Sequence, residues 1–302
     1  MITGANAGIG KETARQLALN KNTKTIYLAC RNLEKAKIAK EDLTKATGRN
    51  IFKIIIMDIS KPKTVKNAVA SLTESVDALI MNAGGTGGKH PEKINDTGVT
   101  AITASNLLGH VVLVDELIKH QKLNNVALFA SSEAARGVKQ TGMKRPKLDN
   151  NSVDEFISIF NGEKFKNNFD AMQVYGWIKY AGTLWMSSMA RKNPDIKFIS
   201  MSPGGTRGTQ GMDDLPFIQR IFLKHIGMKL IMPLFGLSHS LESGAKRFVD
   251  GIDNDEFKSG AFYASKENVL TGKVIDQSFI WKDFNNPLFQ KNADEAIHNF
   301  IN

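Results

Sequence analysis

Five apolar runs recur along the chain with room for one helix between successive members: Thr25–Ala29, Phe52–Met57, Ala78–Met81, Val126–Ala130 and Lys197–Met201. Runs that are apolar throughout, rather than at alternate positions, read as strands buried on both faces, and strands joined through helices run parallel. The order βαβα therefore predicts an α/β fold of the Rossmann kind: a three-layer, doubly wound parallel sheet with helices on both sides. No Pro/Gly/Ser linker and no repeat of roughly 20–50 residues divides the sequence, so residues 1–302 are expected to form a single domain.

Two stretches break the alternation. One is an insertion, Arg136–Asp170, polar and basic around a short helix-like piece at Val153–Phe160. The other, Met212–Leu237, carries Phe217, Ile218, Ile221, Phe222, Ile226, Leu230, Ile231, Leu234 and Phe235, a set too dense for a solvated loop. Two readings stand for it. It is either a helical lid, about 207–240, over a bulky hydrophobic substrate, or an ordinary packing helix. As a lid, its Arg220, Lys224, His225 and Lys229 would let 217–235 touch an anionic membrane at its periphery. At the other end only Met1 and Ile2 precede Thr3-Gly4, shorter than the strand expected there, so a native start upstream of Met1 is expected.

The net charge of +10 favours an anionic partner, whether a phosphorylated cofactor, nucleic acid or lipid, unless it simply solvates the surface. The basic residues are scattered and no nucleic-acid reader motif is present, so no nucleic-acid partner is expected. Cys30 is the single cysteine, which excludes an intrachain disulfide and a Cys-rich zinc site. The six histidines form no HExxH and no i,i+4 pair, so no metal is expected. With no secretion signal, and no run near the roughly twenty apolar residues of a membrane span, a cytoplasmic location fits best.

Thr3-Gly4-Ala5-Asn6-Ala7-Gly8-Ile9-Gly10 leads directly into a helical pattern from Lys11 to Leu19. A turn of this kind needs glycines for positive φ and for close approach of backbone to pyrophosphate, whose charge meets the helix N-terminus. Gly4, Asn6, Gly8, Ile9 and Gly10 are its candidate contacts. About twenty residues on, where an NAD site carries an acid, the chain reads Ala29-Cys30-Arg31-Asn32. A guanidinium with no carboxylate suits a 2′-phosphate, so NADP(H) is expected over NAD(H). Cys30 itself reads as an inert core thiol. Asp58, followed by Ile59, ends the next strand and either accepts from the adenine amino group or caps the helix after Ser60-Lys61-Pro62. Asn82, Ala83 and Gly84 end the strand after that, at the edge where ligands gather in such sheets.

Tyr175 and Lys179 stand four apart, on one face of a helix. A phenol titrates near 10, and a neighbouring ammonium is expected to lower that value enough for acid/base work. Ser131-Ser132 ends the strand Val126–Ala130, where one hydroxyl can bond a substrate carbonyl. Asn106 lies in a helical pattern, as a relay that holds a water or as a satisfied core amide. In Ser202-Pro203-Gly204-Gly205-Thr206 the exposed backbone and the Thr206 hydroxyl are candidates to hold a nicotinamide carboxamide, with Pro203, Gly204 and Thr206 in the cofactor set.

TGxxxGIG, a strand-end NAG, a helix Asn, a strand-end Ser, YxxxK and then PG, in this order from Thr3 to about Gly205, resemble the short-chain dehydrogenase/reductase superfamily. The resemblance implies that Asn106, Ser132, Tyr175 and Lys179 form the catalytic set. In that family the Tyr protonates the carbonyl oxygen, the Lys also binds the nicotinamide ribose, the Ser orients the carbonyl and the Asn supports a proton relay. Tyr27-Leu28-Ala29-Cys30-Arg31, Asn106-Leu107-Leu108-Gly109-His110 and Leu241-Glu242-Ser243-Gly244-Ala245 are similar to retinol-dehydrogenase-like and light-dependent protochlorophyllide-reductase-like members, which favour NADP(H) and bulky apolar substrates. Ser132, and the lack of a cysteine for the substrate pocket, argue against pigment reduction. A protein that binds the cofactor as a regulator and has lost its chemistry is the competing reading, and retention of all four residues speaks against it.

Overall fold

The computed structural model describes residues 1–139, 142–207 and 237–301. The lid expectation, about 207–240, falls mostly and the membrane-contact expectation, 217–235, wholly on 208–236, outside the described residues. Eight strands form one sheet in the order β3-β2-β1-β4-β5-β6-β7-β8. They are β1 (Ile2–Thr3), β2 (Ile26–Cys30), β3 (Phe52–Ile56), β4 (Val76–Met81), β5 (Leu123–Ala130), β6 (Lys197–Met201), β7 (Phe262–Ser265) and β8 (Val274–Asp276). The first seven are parallel, as expected from the buried apolar runs. β8 departs from that pattern and pairs antiparallel to β7, with Ser265 opposite Val274.

Among the described residues the longer helices are α1 (Gly8–Leu19), α2 (Leu33–Thr47), α3 (Pro62–Ser71), α4 (Ala101–Lys119), α5 (Val153–Phe160), α6 (Ala171–Lys192), α7 (Leu241–Asp253) and α8 (Pro287–His298). Every start but that of α1 has a local cause. Asn32 caps α2 by accepting from Lys35 N, Ser152 caps α5, Asp170 caps α6, and Pro62 and Pro287 stand in the first turns of α3 and α8. α4 contains a π-helical turn at Ala104–Leu108. Its span is long and apolar enough to cross a membrane, more so than the sequence reading allowed, but most of it is buried in the protein core.

Alternate side chains of each strand enter separate cores. Ile2, Leu28, Ile80, Leu128 and Ile199 join Ala14, Ala18, Leu43 and Phe248 on one face. Leu79, Met81, Ala127, Phe129 and Phe198 join Val65, Leu107, Val111, Ile178, Trp185 and Ile297 on the other. Period-two alternation within runs that look uniformly apolar is what a sheet covered on both sides requires. Cys30 is buried in the first of these cores, and burial pushes its thiol up to about 11.

Candidate active site

The strand order reverses between β1 and β4, which opens a crevice at the C-terminal edge of the sheet. Gly4 turns there with φ of 66°. A β-carbon on Gly10 would lie 2.6 Å from the Gly4 carbonyl and 2.5 Å from Asn82 Nδ2, so α1 and the turn approach closely only because residue 10 has no side chain. Asn82 braces the turn by donating to Thr3 O (2.9 Å) and Gly4 O (3.4 Å). Unlike α2 and α6, α1 has no side-chain cap, since its N-cap residue is Ala7. Its first amides therefore need an acceptor from elsewhere.

Arg31 is exposed just past β2, with no ion pair among the described residues. Asp58 does not cap α3, whose N-cap is Lys61. One Asp58 oxygen instead closes a turn by accepting from Ser60 N (3.1 Å) and Oγ (2.7 Å). Ile59 presents its carbonyl to Gly109, where a β-carbon would sit 1.6 Å from that oxygen.

At the reacting end, Gly176 of α6 lies against the 3-10 turn Glu133–Arg136, its would-be β-carbon 2.9 Å from Ala134 O. That contact brings Tyr175 beside Ser132. Ser132 Oγ accepts from Ala134 N (3.1 Å) and lies within reach of the phenol. Ser131 is buried and bonded to Thr183 Oγ1 (2.7 Å), so Ser132 is the hydroxyl that faces Tyr175. Lys179 is buried, donates to Ala130 O (2.7 Å) and lies 5.5 Å from the centre of the Tyr175 ring.

The electrostatics correct the expected acidification of the phenol. Tyr175 keeps part of its ring exposed, but its hydroxyl is enclosed. Desolvation there pushes the phenol up to about 12; Ser132 pulls it down and the charge of Glu133 pushes it further up. Burial lowers Lys179 to about 7, so at neutral pH the ammonium is itself only partly present. Spacing alone put the two groups on one face, and desolvation then decides both titrations.

Of the two readings of Asn106, the satisfied amide is the one its bonds match: Oδ1 accepts from Gly85 N (3.0 Å), while Nδ2 donates to Gly85 O (2.7 Å) and Ile102 O (2.8 Å). It braces the Gly84-Gly85 loop beside Lys179, with Asn106 Oδ1 at 2.5 Å and Lys179 Nζ at 3.5 Å from where a side chain on Gly84 would begin. The Thr206 hydroxyl is buried and turns back to Pro203 O (3.0 Å) and Gly204 O (3.2 Å), while Pro203 and Gly204 themselves stay partly exposed. Ala83 completes the set, its N–H donating to Thr3 Oγ1 (2.9 Å).

His110 has no candidate role in the sequence pattern. Buried, it links Thr3 Oγ1 (3.1 Å) to Asn106 O (3.3 Å) and so joins the first turn to the π-helical turn. Burial, then the charge of Lys179, lowers it to about 3, so it is neutral. Its place directly after Gly109 was the available signal. Glu133 and Arg247 carry no local signal either, for they meet across 114 positions. Among the described residues no group of His, Cys, Asp and Glu forms a metal-binding cluster.

The sequence profile of the short chain dehydrogenase family matches residues 1–143. Over 208 residues the chain is 30% identical to dehydrogenase/reductase SDR family member 12 of Bos taurus, and over 209 residues it is 34% identical to retinol dehydrogenase 11 of Homo sapiens. Each match covers 68% of this chain and 59% of the relative. Among solved structures, L-sorbose reductase from Gluconobacter frateurii, complexed with NADPH and L-sorbose, superposes with a TM-score of 0.64 at 16% identity, over 90% of this chain and 96% of that one. NADPH-bound carbonyl reductase from chicken fatty liver gives 0.58 at 17% identity, over 90% and 98%. With the sheet order, the glycine turn and the Ser-Tyr-Lys edge in place, the family profile and these curated relatives support a member of the short-chain dehydrogenase/reductase superfamily resembling its retinol dehydrogenases.

Proposed function

We propose that the chain is an NADP(H)-dependent oxidoreductase that interconverts a carbonyl and an alcohol, or reduces an activated C=C, on a bulky apolar substrate. The observation that carries this reading is the meeting of Ser132, Tyr175 and Lys179 at one strand edge, where Lys179 has three N–H donors and a single acceptor, Ala130 O, among the described residues. A buried ammonium short of acceptors fits the hydroxyl-rich ribose of a nicotinamide nucleotide, and the uncapped α1 with its side-chain-free turn fits the pyrophosphate.

When bound, the cofactor supplies the hydride. Gly4, Asn6, Gly8, Ile9 and Gly10 would hold its phosphates, Arg31 the 2′-phosphate, Asp58 and Ile59 the adenine, and Asn82, Ala83 and Gly84 the adjoining ribose. Pro203 and Gly204 would meet the nicotinamide through their backbone, and Lys179 its ribose. Tyr175, protonated at neutral pH, donates its proton to the carbonyl oxygen while Ser132 orients that oxygen through a hydrogen bond. A phenol that keeps its proton suits reduction.

The apolar set at 217–235 and the likeness to retinol dehydrogenase 11 support an apolar substrate. Peripheral membrane contact through 217–235 belongs to the same proposal, and flotation with anionic vesicles tests it. The test of function is oxidation of NADPH, beside NADH, across a panel of apolar aldehydes and ketones with wild type and Tyr175→Phe. Turnover that survives Tyr175→Phe refutes the mechanism, and a clear NADH preference refutes the role of Arg31.

A further inference from the structure

The turn after β6 is fastened from behind by a carboxylate that the proposed chemistry does not use. Glu133, next to Ser132 in the chain, is 4% exposed. One of its oxygens accepts from Ser202 Oγ. The other accepts from Ser265 N (3.2 Å) and Ser265 Oγ (2.9 Å) and faces Arg247 Nη1 at 3.4 Å. Ser202 Oγ in turn accepts from Gly204 N (3.1 Å), and Arg247 donates to Ser202 O (3.1 Å), Ser265 Oγ (2.8 Å) and Gly272 O (2.9 Å). Gly205 N donates to Leu270 O (2.8 Å), and Arg136 holds the carbonyls of Ser265, Lys266 and Val269 at 3.0–3.3 Å. The ends of β5, β6 and β7 are thus tied through one buried anion.

Burying a carboxylate with a guanidinium is weak evidence of stabilisation, because desolvation offsets much of their attraction. What the arrangement does provide is geometry. The residue after the carbonyl-orienting serine is bonded, through one side chain, to the turn read as the nicotinamide contact. We infer that Glu133 is a positioning residue: by way of Ser202 it holds the Pro203-Gly204 turn in register with Ser132 and Tyr175. The inference rests on the reading of that turn as the nicotinamide contact. The charge of Glu133 also helps keep the Tyr175 phenol protonated, so its removal has a second consequence, a pH profile moved to lower pH.

The test compares calorimetric binding of NADPH with that of 2′-phospho-ADP-ribose, which lacks the nicotinamide, for wild type, Glu133→Gln and Ser202→Ala. Ser202→Ala is included because Glu133→Gln leaves Arg247 without its counter-ion and can fail to fold. Each folded variant should bind NADPH about tenfold more weakly, the loss expected of one charge-assisted hydrogen bond, and the truncated ligand within about twofold of wild type. Equal losses for both ligands, or none in Ser202→Ala, overturn the inference while leaving the cofactor reading intact. Wild type that binds neither ligand refutes the cofactor reading, and the inference with it.

Discussion

Gly109→Ala asks whether the loop carrying Asp58 and Ile59 is held in place by α4. The added methyl would begin 1.6 Å from the Ile59 carbonyl oxygen and 2.6 Å from its carbon. A carbon and a carbonyl oxygen rest at about 3.3 Å, so about 1.7 Å of movement is required. Both partners are backbone, and no rotamer change relieves the contact. Either the 58–60 segment retreats, or α4 shifts and takes Asn106 and His110 with it. Overpacking of a close backbone contact costs about 3 kcal/mol, the upper end of the usual range. For a chain of 302 residues that corresponds to a fall of about 5 °C in Tm.

The assays are thermal unfolding without ligand and titration of NADPH. Because the displaced segment is the one proposed to meet the adenine, the expected outcome is a lower Tm together with weaker binding of both NADPH and 2′-phospho-ADP-ribose, unlike the nicotinamide-selective loss expected at Ser202. A variant with wild-type Tm and wild-type affinity would show that the contact relaxes without cost, and the reasoning would be wrong.

Arg31→Ala should weaken NADPH binding about 10- to 100-fold, the range of one or two guanidinium–phosphate hydrogen bonds, and leave NADH binding unchanged; equal effects on both would remove the 2′-phosphate assignment. Lys179→Met should raise the Tm of the cofactor-free protein at pH 6 while abolishing turnover. Its lysine value falls from 10.5 unfolded to about 7 folded, so the desolvation penalty is complete below 7 and shrinks as pH rises toward 10.5. A gain that does not shrink across that window refutes the assignment. His298 bonds Asp115 and Asp294 and is raised to about 10, so its contribution is complete below 6.5 and is lost as pH rises through 10. The Tm difference between wild type and His298→Asn should fade over that interval, and a difference that stays constant would place the effect in packing.

Much of the sheet was legible because a strand buried on both faces leaves a compact apolar signature: β3 and β6 begin where the pattern begins, and β6 also ends where it ends. β7 and β8 were not, since each is short and their pairing depends on the distant end of β6. The glycine turn was legible because its requirement is local, a positive φ and the absence of a β-carbon. The partners of polar side chains were not. Asn106 read equally as a relay or a satisfied amide, and only tertiary packing, which brings in Gly85, decides between them, whereas the Thr206 hydroxyl read as open turns to Pro203 O three residues back. Glu133 and Arg247 are 114 positions apart, and no pattern along the chain connects them.

The i,i+4 spacing of Tyr175 and Lys179 predicted a phenol acidified by an ammonium, whereas burial leaves the lysine near 7 and the phenol near 12. The two statements agree once a ligand supplies acceptors to the lysine. Lys179 Nζ now meets one carbonyl and the faces of Phe129 and Tyr175, and His110, whose charge it disfavours, is neutral. Hydroxyl acceptors together with the charge of a nucleotide favour the ammonium, raise its pKa and only then bring a full positive charge beside the phenol. Binding at pH 8 should therefore take up a proton, because Lys179 is mostly neutral in the free protein and charged in the complex. The 2′-phosphate, with a second pKa of about 6, is already ionised at that pH and adds little. Calorimetry of NADPH binding in two buffers of different ionisation enthalpy measures the uptake directly. Uptake in wild type that disappears in Lys179→Met is the expected result. No uptake in wild type would mean that the lysine is already charged, and that the phenol in the free enzyme is more acidic than its burial implies.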